Sequence, residues 1–306
     1  IYKKMKNVLV LGGSSLVGHG VIKFFLEKGF KVITTSFNKK IFFKNNNIKV
    51  INNFNINSEK SLSLFNKYTK KNLIAVINCI AKIPISKKNK KFDKLSYLNT
   101  NYLSVLKLLK ISEKNKVPNF INISGSSTSI LDENLEDEYN FYLLSKKSMD
   151  LYIDNEMEVK KKIILNTLKI SAPYGYVFNR PTIFVNFIKK AIKNKDLKIF
   201  GNGNRKQVFT FSEDVGKCCL KLIKKKKSGS YYCMGNFSIK SKYLAKKIVK
   251  LFNSKSKIKI LNKFNETDTS NVKLLKKINN LNKNSINFDK SIKKIFFYIR
   301  DNNILN

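Results

Sequence analysis

The segment that decides the fold is Leu11-Gly12-Gly13-Ser14-Ser15-Leu16-Val17-Gly18, which follows an apolar run at residues 7–11. Apolar residues recur at helical spacing over residues 18–28, so the segment predicts a strand, a tight turn and a helix. Glycines in such a turn let the backbone approach a pyrophosphate, and the helix N-terminus offers free N–H groups and a positive dipole. The segment therefore favours a dinucleotide-binding turn over an ordinary strand–helix connection, although Ser15 holds the middle position of the G-x-x-G-x-x-G pattern.

Short apolar runs alternate with longer amphipathic stretches through the first two-thirds of the chain. Further strands are predicted at residues 31–35, 48–51, 73–80, 119–123 and 163–170, and helices at 98–112 and 139–159. Continuous apolar strands separated by helices are typical of a parallel sheet covered on both faces. We therefore predict an α/β protein with a doubly wound parallel sheet of the Rossmann type, which binds ligands at the carboxyl ends of its strands.

The pattern loosens after Pro173, where only residues 182–193 and 241–252 are predicted as helices. We expect residues 1–172 to form a dinucleotide-binding domain, to which 205–235 return. Residues 173–204 and 236–306 are expected to form a smaller, C-terminal substrate-binding region. Clusters of asparagine and lysine at 45–47 and 279–284 are predicted loops.

The net charge of +41 comes from 61 lysines and arginines against 20 acidic residues. Only Arg180, Arg205 and Arg300 are arginines, and the lysines are scattered through every segment. A nucleic-acid surface draws on arginine and concentrates its charge on one face. We therefore expect no nucleic-acid partner, although a positive field can steer an anionic ligand toward a cleft.

Two further classes are disfavoured by composition. The chain has no apolar stretch of about 18 residues and no recognisable signal peptide, so we expect a cytoplasmic protein without a membrane partner. The four cysteines lack C-x-x-C spacing and the one histidine is His19, so no metal site is expected. His19 follows the glycine turn and is expected on the surface rather than in catalysis.

The residues after the second predicted strand indicate which dinucleotide is bound. This strand ends at Thr35-Ser36 and is followed by Asn38-Lys39-Lys40. An NAD site usually carries an acid here that binds the ribose hydroxyls, whereas an NADP site offers cations to the 2′-phosphate. With no acid and two lysines, the sequence favours NADP over NAD.

A tyrosine–lysine pair carries the candidate chemistry. Tyr142-Leu143-Leu144-Ser145-Lys146 places Tyr142 and Lys146 on one face of a predicted helix. A neighbouring ammonium lowers the pKa of a phenol, which can then exchange a proton with a hydroxyl or carbonyl while hydride moves to or from a nicotinamide. The run Ser124-Gly125-Ser126-Ser127-Thr128-Ser129 follows the fifth strand, where a hydroxyl could bind the substrate oxygen.

Together these parts resemble the extended short-chain dehydrogenase/reductases, the family of nucleotide-sugar epimerases and dehydratases. The resemblance covers nearly the whole chain. It rests on the glycine turn, the tyrosine–lysine pair, and residues 76–81, 101–109, 124–128, 168–175 and 201–209 with Asp214-Val215. The last of these is similar to the family's glycine-rich hairpin near the substrate diphosphate. The resemblance therefore implies a nucleotide-sugar substrate.

The resemblance also implies the roles of particular residues. The expected catalytic residues are Ser126, Tyr142 and Lys146. Ser124 and Ser127 stay open as alternatives for the hydroxyl, because only about sixteen residues separate Ser126 from Tyr142. The expected cofactor contacts are Gly12, Ser14, Ser15, Leu16, Val17, Gly18, Ser36, Asn38, Lys39, Asn55, Ile56, Cys79, Ile80, Ala81, Asn101, Tyr142 and Lys146. The expected substrate contacts are Lys82, Ser126, Ser127, Arg205 and Gln207, with Gln207 standing where many members carry a phosphate-binding arginine.

The hypothesis that follows is an NAD(P)-dependent epimerase or ketoreductase of a nucleotide sugar. The alternatives are an NADP-dependent reductase of a non-nucleotide carbonyl compound and a non-catalytic dinucleotide-binding protein. A 4,6-dehydratase is disfavoured, because Ser127-Thr128 replaces the Asp-Glu pair that such members carry. The resemblance further implies a homodimer formed through the helices at 98–112 and 139–159.

Overall fold

The structure is a computed structural model. It describes residues 6–39, 41, 43, 45–84, 92–130, 137–158, 163–179, 181–261, 268, 270–275, 278, 280–302 and 304. The strands are β1 Asn7–Leu11, β2 Lys31–Thr35, β3 Ile48–Ile51, β4 Leu73–Asn78, β5 Asn119–Gly125, β6 Ile164–Ile170, β7 Ala172–Tyr174, β8 Leu197–Phe200, β9 Lys206–Phe211, β10 Gly229–Cys233, β11 Ser238–Lys240 and β12 Ile258–Leu261. The helices are α1 Leu16–Glu27, α2 Glu59–Thr69, α3 Lys94–Leu98, α4 Ser104–Lys114, α5 Glu138–Glu158, α6 Ile183–Ile192, α7 Ser212–Lys225, α8 Ser241–Leu251, α9 Ser270–Leu275 and α10 Phe288–Asp301.

Seven strands form one sheet in the order β10-β6-β5-β4-β1-β2-β3, and every pair in it is parallel. The prediction of a doubly wound α/β fold is therefore confirmed. The strand order reverses between β1 and β4, which places a crevice at the carboxyl ends of these two strands. Residues Val8 to Leu11 are fully buried, as expected for a strand covered on both faces.

Two helical layers cover this sheet. On one face α1 and α7 pack together against Val10, Ile77 and Leu168. On the other face α2, α4 and α5 pack against Leu9 and Phe120. Each such large apolar side chain stabilises the fold by about 1.5–3 kcal/mol relative to an exposed one. Successive side chains of a strand point to opposite faces of the sheet, so each strand contributes apolar side chains to both helical layers.

A second core forms around smaller sheets. Strands β7, β9 and β11 make a three-stranded sheet, and β8 and β12 pair in parallel. Helices α6, α8 and α10 pack here, and α10 contributes the buried residues Phe288, Ile292, Ile295 and Ile299. The strand β10 lies outside this group, at the edge of the seven-stranded sheet.

The predicted helix at 98–112 is a composite of three pieces. Helix α3 runs into a π-helical turn, Asn99–Leu103, and then into α4. The π turn contains Asn101, which is buried and holds part of the site described below. In the described part of the chain, no helix combines the length and apolar character needed to cross a membrane.

Candidate active site

The glycine turn joins β1 to α1 in a conformation that excludes side chains. Gly12 has a φ of +77°, and a Cβ added to Gly18 would lie 2.2 Å from the Gly12 carbonyl oxygen. The Gly12 amide donates to the Thr35 hydroxyl at 3.0 Å, which fixes the turn to the end of β2. The turn therefore needs glycine at both positions. Because no side chain covers the backbone at Gly12 and Gly18, and because the turn lies beside the N-terminus of α1, a pyrophosphate can approach the backbone amides closely.

Serine fits at position 15 of the turn because its side chain caps helix α1. Its Oγ accepts a hydrogen bond of 3.0 Å from the Gly18 amide and caps the N-terminus of α1. The hydroxyl thus points back along the turn. Helix α1 begins at Leu16, two residues before the predicted start at Gly18, so Ser14 and Ser15 precede the helix and Leu16 and Val17 belong to its first turn.

The residues expected to bind the adenosine half of the dinucleotide lie on adjoining loops, at what we call the adenosine end of the crevice. Ser36 is buried, and its carbonyl accepts a hydrogen bond of 2.9 Å from the Phe54 amide, which brings the end of β2 beside Asn55 and Ile56. Asn38 and Lys39 are exposed after β2. Lys40 lies outside the described residues. No acidic side chain of the described segment follows β2 before β3.

A cavity of about 330 Å³ adjoins this end of the crevice. Its lining residues are Gly13, Ser14, His19, Lys39, Ile41, Tyr176, Val177, Phe178, Asn179, Tyr298 and Ile304. The expectation that His19 lies on the surface is wrong, because it is only 7% exposed. Its ring packs 4.5 Å from the ring of Phe43, and its Nε2 lies 3.3 Å from the Tyr298 hydroxyl. Burial, with the charge of Lys23, lowers the pKa of His19 to about 4, so the imidazole is neutral at physiological pH.

The loop after β4 forms the middle of the crevice. Cys79 donates from its amide to the Leu11 carbonyl at 3.0 Å, and a Cβ on Gly12 would meet the Ile80 side chain at 2.9 Å. The half-buried Ala81 and Lys82 follow. The loop at residues 79–82, which contains three predicted cofactor contacts, thus begins directly against the glycine turn.

Asn101 ties this loop to the helix that carries the tyrosine. Its Oδ1 accepts from the Lys82 amide at 2.8 Å, and its Nδ2 donates to the Lys82 carbonyl at 2.9 Å. The same Nδ2 donates to the Ser145 hydroxyl at 2.9 Å. Ser145 immediately precedes Lys146 on α5. The hydrogen bonds of Asn101 therefore link the loop after β4 to α5, the helix that carries Tyr142 and Lys146.

Helix α5 positions Tyr142 and Lys146 one turn apart. Tyr142 is half-buried, and its ring lies 6.4 Å from that of Tyr97 and 6.0 Å from that of Tyr139. Lys146 is only 2% exposed, and its Nζ donates to the Ile123 carbonyl at 2.8 Å. Burial lowers the pKa of Lys146, and the charge of Asp150 opposes that effect. The ammonium is thereby held at the end of β5.

The serine residues continue from this end of β5 into a 3₁₀ turn, Ser126–Ile130, which we call the serine turn. Ser126 is 1% exposed and Ser127 is half-buried. Ser124 donates its hydroxyl to Asp150 at 2.9 Å. The Ser124 hydroxyl proton is thus committed to a buried carboxylate. The assignment of the substrate-binding hydroxyl among Ser124, Ser126 and Ser127 stays a prediction.

The sequence interpretation missed the acid beneath the serine turn. Asp150 lies one helical turn beyond Lys146 and is fully buried. The signal was present, because Tyr142, Lys146 and Asp150 repeat at intervals of four residues. Lys169, its buried neighbour on β6, lies 3.9 Å away from its carboxylate.

The expected phosphate-binding residues lie on the smaller sheet. Gln207 is half-buried on β9 and pairs with Ile239 of β11. Arg205 is exposed just before β9, and its carbonyl accepts from the Ser241 amide at 3.0 Å. Helix α9 contacts both β9 and the serine turn. The two predicted substrate-binding regions, the serine turn and β9, are therefore both in contact with α9.

The chain belongs to the NAD-dependent epimerase/dehydratase family, whose model matches residues 8–235. It is an enzyme of the extended short-chain dehydrogenase/reductase type, as the sequence motifs predicted. An uncharacterised protein of Methanocaldococcus jannaschii is 23% identical over 285 residues, which cover 84% of each chain. Within the described residues there is no cluster of histidine, cysteine and acidic side chains that could hold a metal.

Two solved structures illustrate the shared fold. The UDP-N-acetylglucosamine 4-epimerase from Methanobrevibacter ruminantium, in complex with UDP-N-acetylmuramic acid, has a TM-score of 0.76 and 18% identity and covers 98% of this chain and 99% of its own. The dTDP-glucose 4,6-dehydratase from Bacillus anthracis, in complex with NAD, has a TM-score of 0.71 and 15% identity, with 97% of each chain covered. At these identities the likeness shows the fold. Because an epimerase and a dehydratase both share it, the reaction must be argued from the site.

Proposed function

We propose that this protein is an NAD(P)-dependent epimerase or ketoreductase of a nucleotide sugar. The observation that carries the proposal is the position of Lys146 at the end of β5, one turn along α5 from Tyr142. Asn101 joins this helix to the loop after β4. The family model and the nucleotide-sugar enzymes of the same fold support it. The run Ser127-Thr128, without the Asp-Glu pair, keeps a 4,6-dehydratase disfavoured.

The proposed mechanism divides proton and hydride transfer between the protein and the dinucleotide. A bound nicotinamide supplies or accepts the hydride. Ser126 holds the reacting oxygen of the sugar, and Tyr142 takes a proton from that oxygen or returns one to it. Lys146 keeps a positive charge one helical turn from the phenol, which favours its ionised form. A low local dielectric strengthens the attraction between the ammonium and the phenolate, whereas burial also lowers the pKa of Lys146, an effect that the charge of Asp150 opposes.

The nucleotide-sugar substrate class is tested by Arg205→Ala. A charge-assisted hydrogen bond to a phosphate contributes about 1.5–3 kcal/mol, so we expect the KM for a nucleotide sugar to rise about 10–100-fold. The exposed Arg300→Ala, whose arginine pairs with Asp301 on α10, is the matched control and should leave the KM unchanged. Steady-state kinetics with UDP-sugars measures both. An unaltered KM in Arg205→Ala would favour the reductase of a non-nucleotide carbonyl compound.

Cofactor preference is tested by Lys39→Ala. We expect the parent enzyme to bind NADPH more than tenfold more tightly than NADH, because Lys39 offers a cation and Ser36 stands where an acid would exclude the 2′-phosphate. The buried Ser36 hydroxyl itself donates to the Lys39 carbonyl. Lys39→Ala should then weaken NADPH binding about tenfold and leave NADH unaffected. Fluorescence titration measures the affinities, with the exposed Lys28→Ala at the far end of α1 as control. Preference of the parent for NADH by more than tenfold would overturn the assignment.

If NADP is preferred, net reduction is favoured over epimerisation, since an epimerase needs no exchangeable cofactor pool. The direct test is to incubate the protein with a panel of UDP-, ADP- and dTDP-sugars, adding NAD⁺ in one series and NADPH in the other. Products are separated by anion-exchange chromatography. Redox-neutral isomers identify an epimerase, whereas consumption of NADPH identifies a reductase. Inertness toward every nucleotide sugar, with turnover of a simple ketone, would refute the proposed substrate class.

Expectations about assembly, location and partners accompany the proposal. A homodimer through α4 and α5 is supported by the exposed apolar side chains of Leu103, Leu151 and Tyr139 on or beside these helices. Sedimentation velocity measures the assembly state, and a monomer at micromolar concentration would contradict it. Cytoplasmic location stays a prediction from the sequence, as does the lack of nucleic-acid and membrane partners.

A further inference from the structure

Asp150 occupies the position where α5, β5 and β6 meet beneath the serine turn. It follows Lys146 by four residues, so Tyr142, Lys146 and Asp150 lie along one face of α5. The side chain is fully buried. A carboxylate at such a depth is costly unless it is hydrogen-bonded and paired with cations. Its partners therefore indicate what it does.

The first set of partners flanks the proposed substrate-binding hydroxyls. Ser124 Oγ donates to Asp150 Oδ2 at 2.9 Å. Thr128 Oγ1 lies 2.9 Å from the same oxygen and 2.9 Å from the Gly125 carbonyl oxygen, so its proton is shared between these two acceptors. These two residues stand on either side of Ser126 and Ser127. One carboxylate oxygen therefore holds both ends of the short segment that presents the candidate hydroxyls.

The second set of partners consists of buried cations. Lys169 Nζ lies 3.9 Å from Asp150 Oδ2. The charge of Asp150 also acts on Lys146, whose ammonium is fixed at the Ile123 carbonyl. Two lysines are thus buried around one acid. Without the acid, the two ammonium groups would lack this compensating charge in a region of low dielectric.

Two other polar side chains of the described residues lie next to this cluster. The Cys79 thiol faces Lys146 from the loop after β4, and burial raises its pKa to about 12. The Tyr232 ring on β10 lies 5.8 Å from Lys169 Nζ, and its hydroxyl contacts Ser129 at 2.8 Å. Burial raises the pKa of Asp150, and the charges of Lys169 and Lys146 with the hydroxyls of Ser124 and Thr128 oppose that rise. Among these groups Asp150 is the acid placed to balance the lysines.

We propose that Asp150 is a positioning residue that holds the serine turn against α5 and supplies the negative charge opposite Lys146 and Lys169. This inference rests on the proposed function, since it assigns Asp150 to the geometry of Tyr142 and Ser126. Its hydrogen bonds set where Ser126 stands. Its charge keeps Lys146 protonated, and Lys146 in turn acts on Tyr142. Asp150 itself touches neither substrate nor cofactor in this role.

Two variants distinguish the hydrogen bonds of Asp150 from its charge. Asp150→Asn keeps a side-chain oxygen that can accept the two hydroxyl bonds but removes the charge. Asp150→Ala removes both. The matched control is Asp154→Asn, one turn further along α5, where the acid also accepts a hydrogen bond from a serine, Ser230. Each variant is assayed as the holoenzyme for dinucleotide affinity, kcat and the pH dependence of kcat.

The sign of the pH effect follows from Lys146. The Asp150 charge raises the pKa of Lys146, so removing it lets Lys146 lose its proton at lower pH. We expect the alkaline limb of the kcat profile to move down by about one to two pH units in Asp150→Asn. Asp150→Ala should show the same movement and, in addition, a loss of kcat of about tenfold or more at every pH. Dinucleotide affinity should stay within about threefold of the parent in Asp150→Asn.

Three outcomes would overturn the inference. The first is an alkaline limb that does not move in Asp150→Asn. The second is an equal movement in Asp154→Asn, which would indicate a general effect on α5. The third is a kcat in Asp150→Ala that equals that of Asp150→Asn across the profile, because the hydrogen bonds to Ser124 and Thr128 would then position nothing.

A measurement without turnover separates this inference from the proposed function. The ultraviolet difference spectrum between a protein and its own Tyr142→Phe variant reports ionisation of the Tyr142 phenol. Lys146 stands about 6 Å along the helix from Tyr142 and Asp150 about 12 Å, so loss of the Lys146 charge dominates and should raise the phenol pKa in Asp150→Asn. If the parent converts no nucleotide sugar, the proposed function fails, yet this shift still decides the inference. An unshifted phenol titration would refute it.

Discussion

Replacing Tyr142 by phenylalanine should lower kcat about 10²–10⁴-fold and leave dinucleotide affinity within about threefold of the parent, because the change removes one hydroxyl that transfers a proton. The aromatic ring stays, so its packing against Tyr97 and Tyr139 is preserved. Steady-state kinetics and fluorescence titration of the dinucleotide measure the two quantities. A loss confined to kcat would identify a group that acts on the reacting atoms rather than on binding.

The matched control for this variant is Tyr139→Phe. Tyr139 stands on the same helix with its ring 6.0 Å from that of Tyr142, and it is 49% exposed. It should keep the turnover of the parent. If Tyr142→Phe retained more than about a tenth of the parental kcat, general acid–base catalysis by this phenol would be ruled out.

The second large effect is expected in Gly18→Ala. The new Cβ would lie 2.2 Å from the Gly12 carbonyl oxygen and 2.9 Å from its carbonyl carbon, and both are backbone atoms. The glycine turn must therefore open. We expect the free energy of unfolding to fall by about 1–3 kcal/mol, as in other overpacked sites. Dinucleotide affinity should fall about 100-fold, because the amides of the turn leave the pyrophosphate position.

Gly29→Ala separates the loss of affinity from the loss of stability. Gly29 ends the connection after α1 with a φ of +75° and open space around its Cβ position. Alanine there strains the backbone by about 1 kcal/mol without touching the turn. Chemical denaturation and dinucleotide titration compare the two variants. Equal affinities in Gly18→Ala and Gly29→Ala would contradict the assignment of the turn to the dinucleotide.

The strands of the central sheet could be predicted because their burial on both faces makes them continuously apolar. β2 and β3 begin and end where the sequence predicted. Helix α2 was missed, since its inward face carries few large apolar residues, chiefly Leu62 and Phe65. Helix α10 was missed for a different reason. The apolar spacing from Phe288 to Ile299 is regular, but it stands within a region whose lysine and asparagine content suggested loops.

Local spacing also explains how much of the site could be predicted. Tyr142 and Lys146 belong to one helix, so their proximity follows from the sequence. The contacts of His19 do not, because Tyr176 and Tyr298 cover it from distant parts of the chain. The partners of Asp150 likewise come from β5, the serine turn and β6. Tertiary contacts of this kind have no local signal.

The central claim is that hydride reaches or leaves the bound nicotinamide while the Tyr142 phenol moves a proton on a nucleotide sugar. Rapid mixing of the holoenzyme with the nucleotide sugar selected from the panel, followed by the absorbance of reduced nicotinamide, tests it most directly. We expect a single-turnover change in that absorbance for the parent and none for Tyr142→Phe with the dinucleotide still bound. An equal absorbance change in both proteins, or none in the parent while sugar is converted, would contradict it.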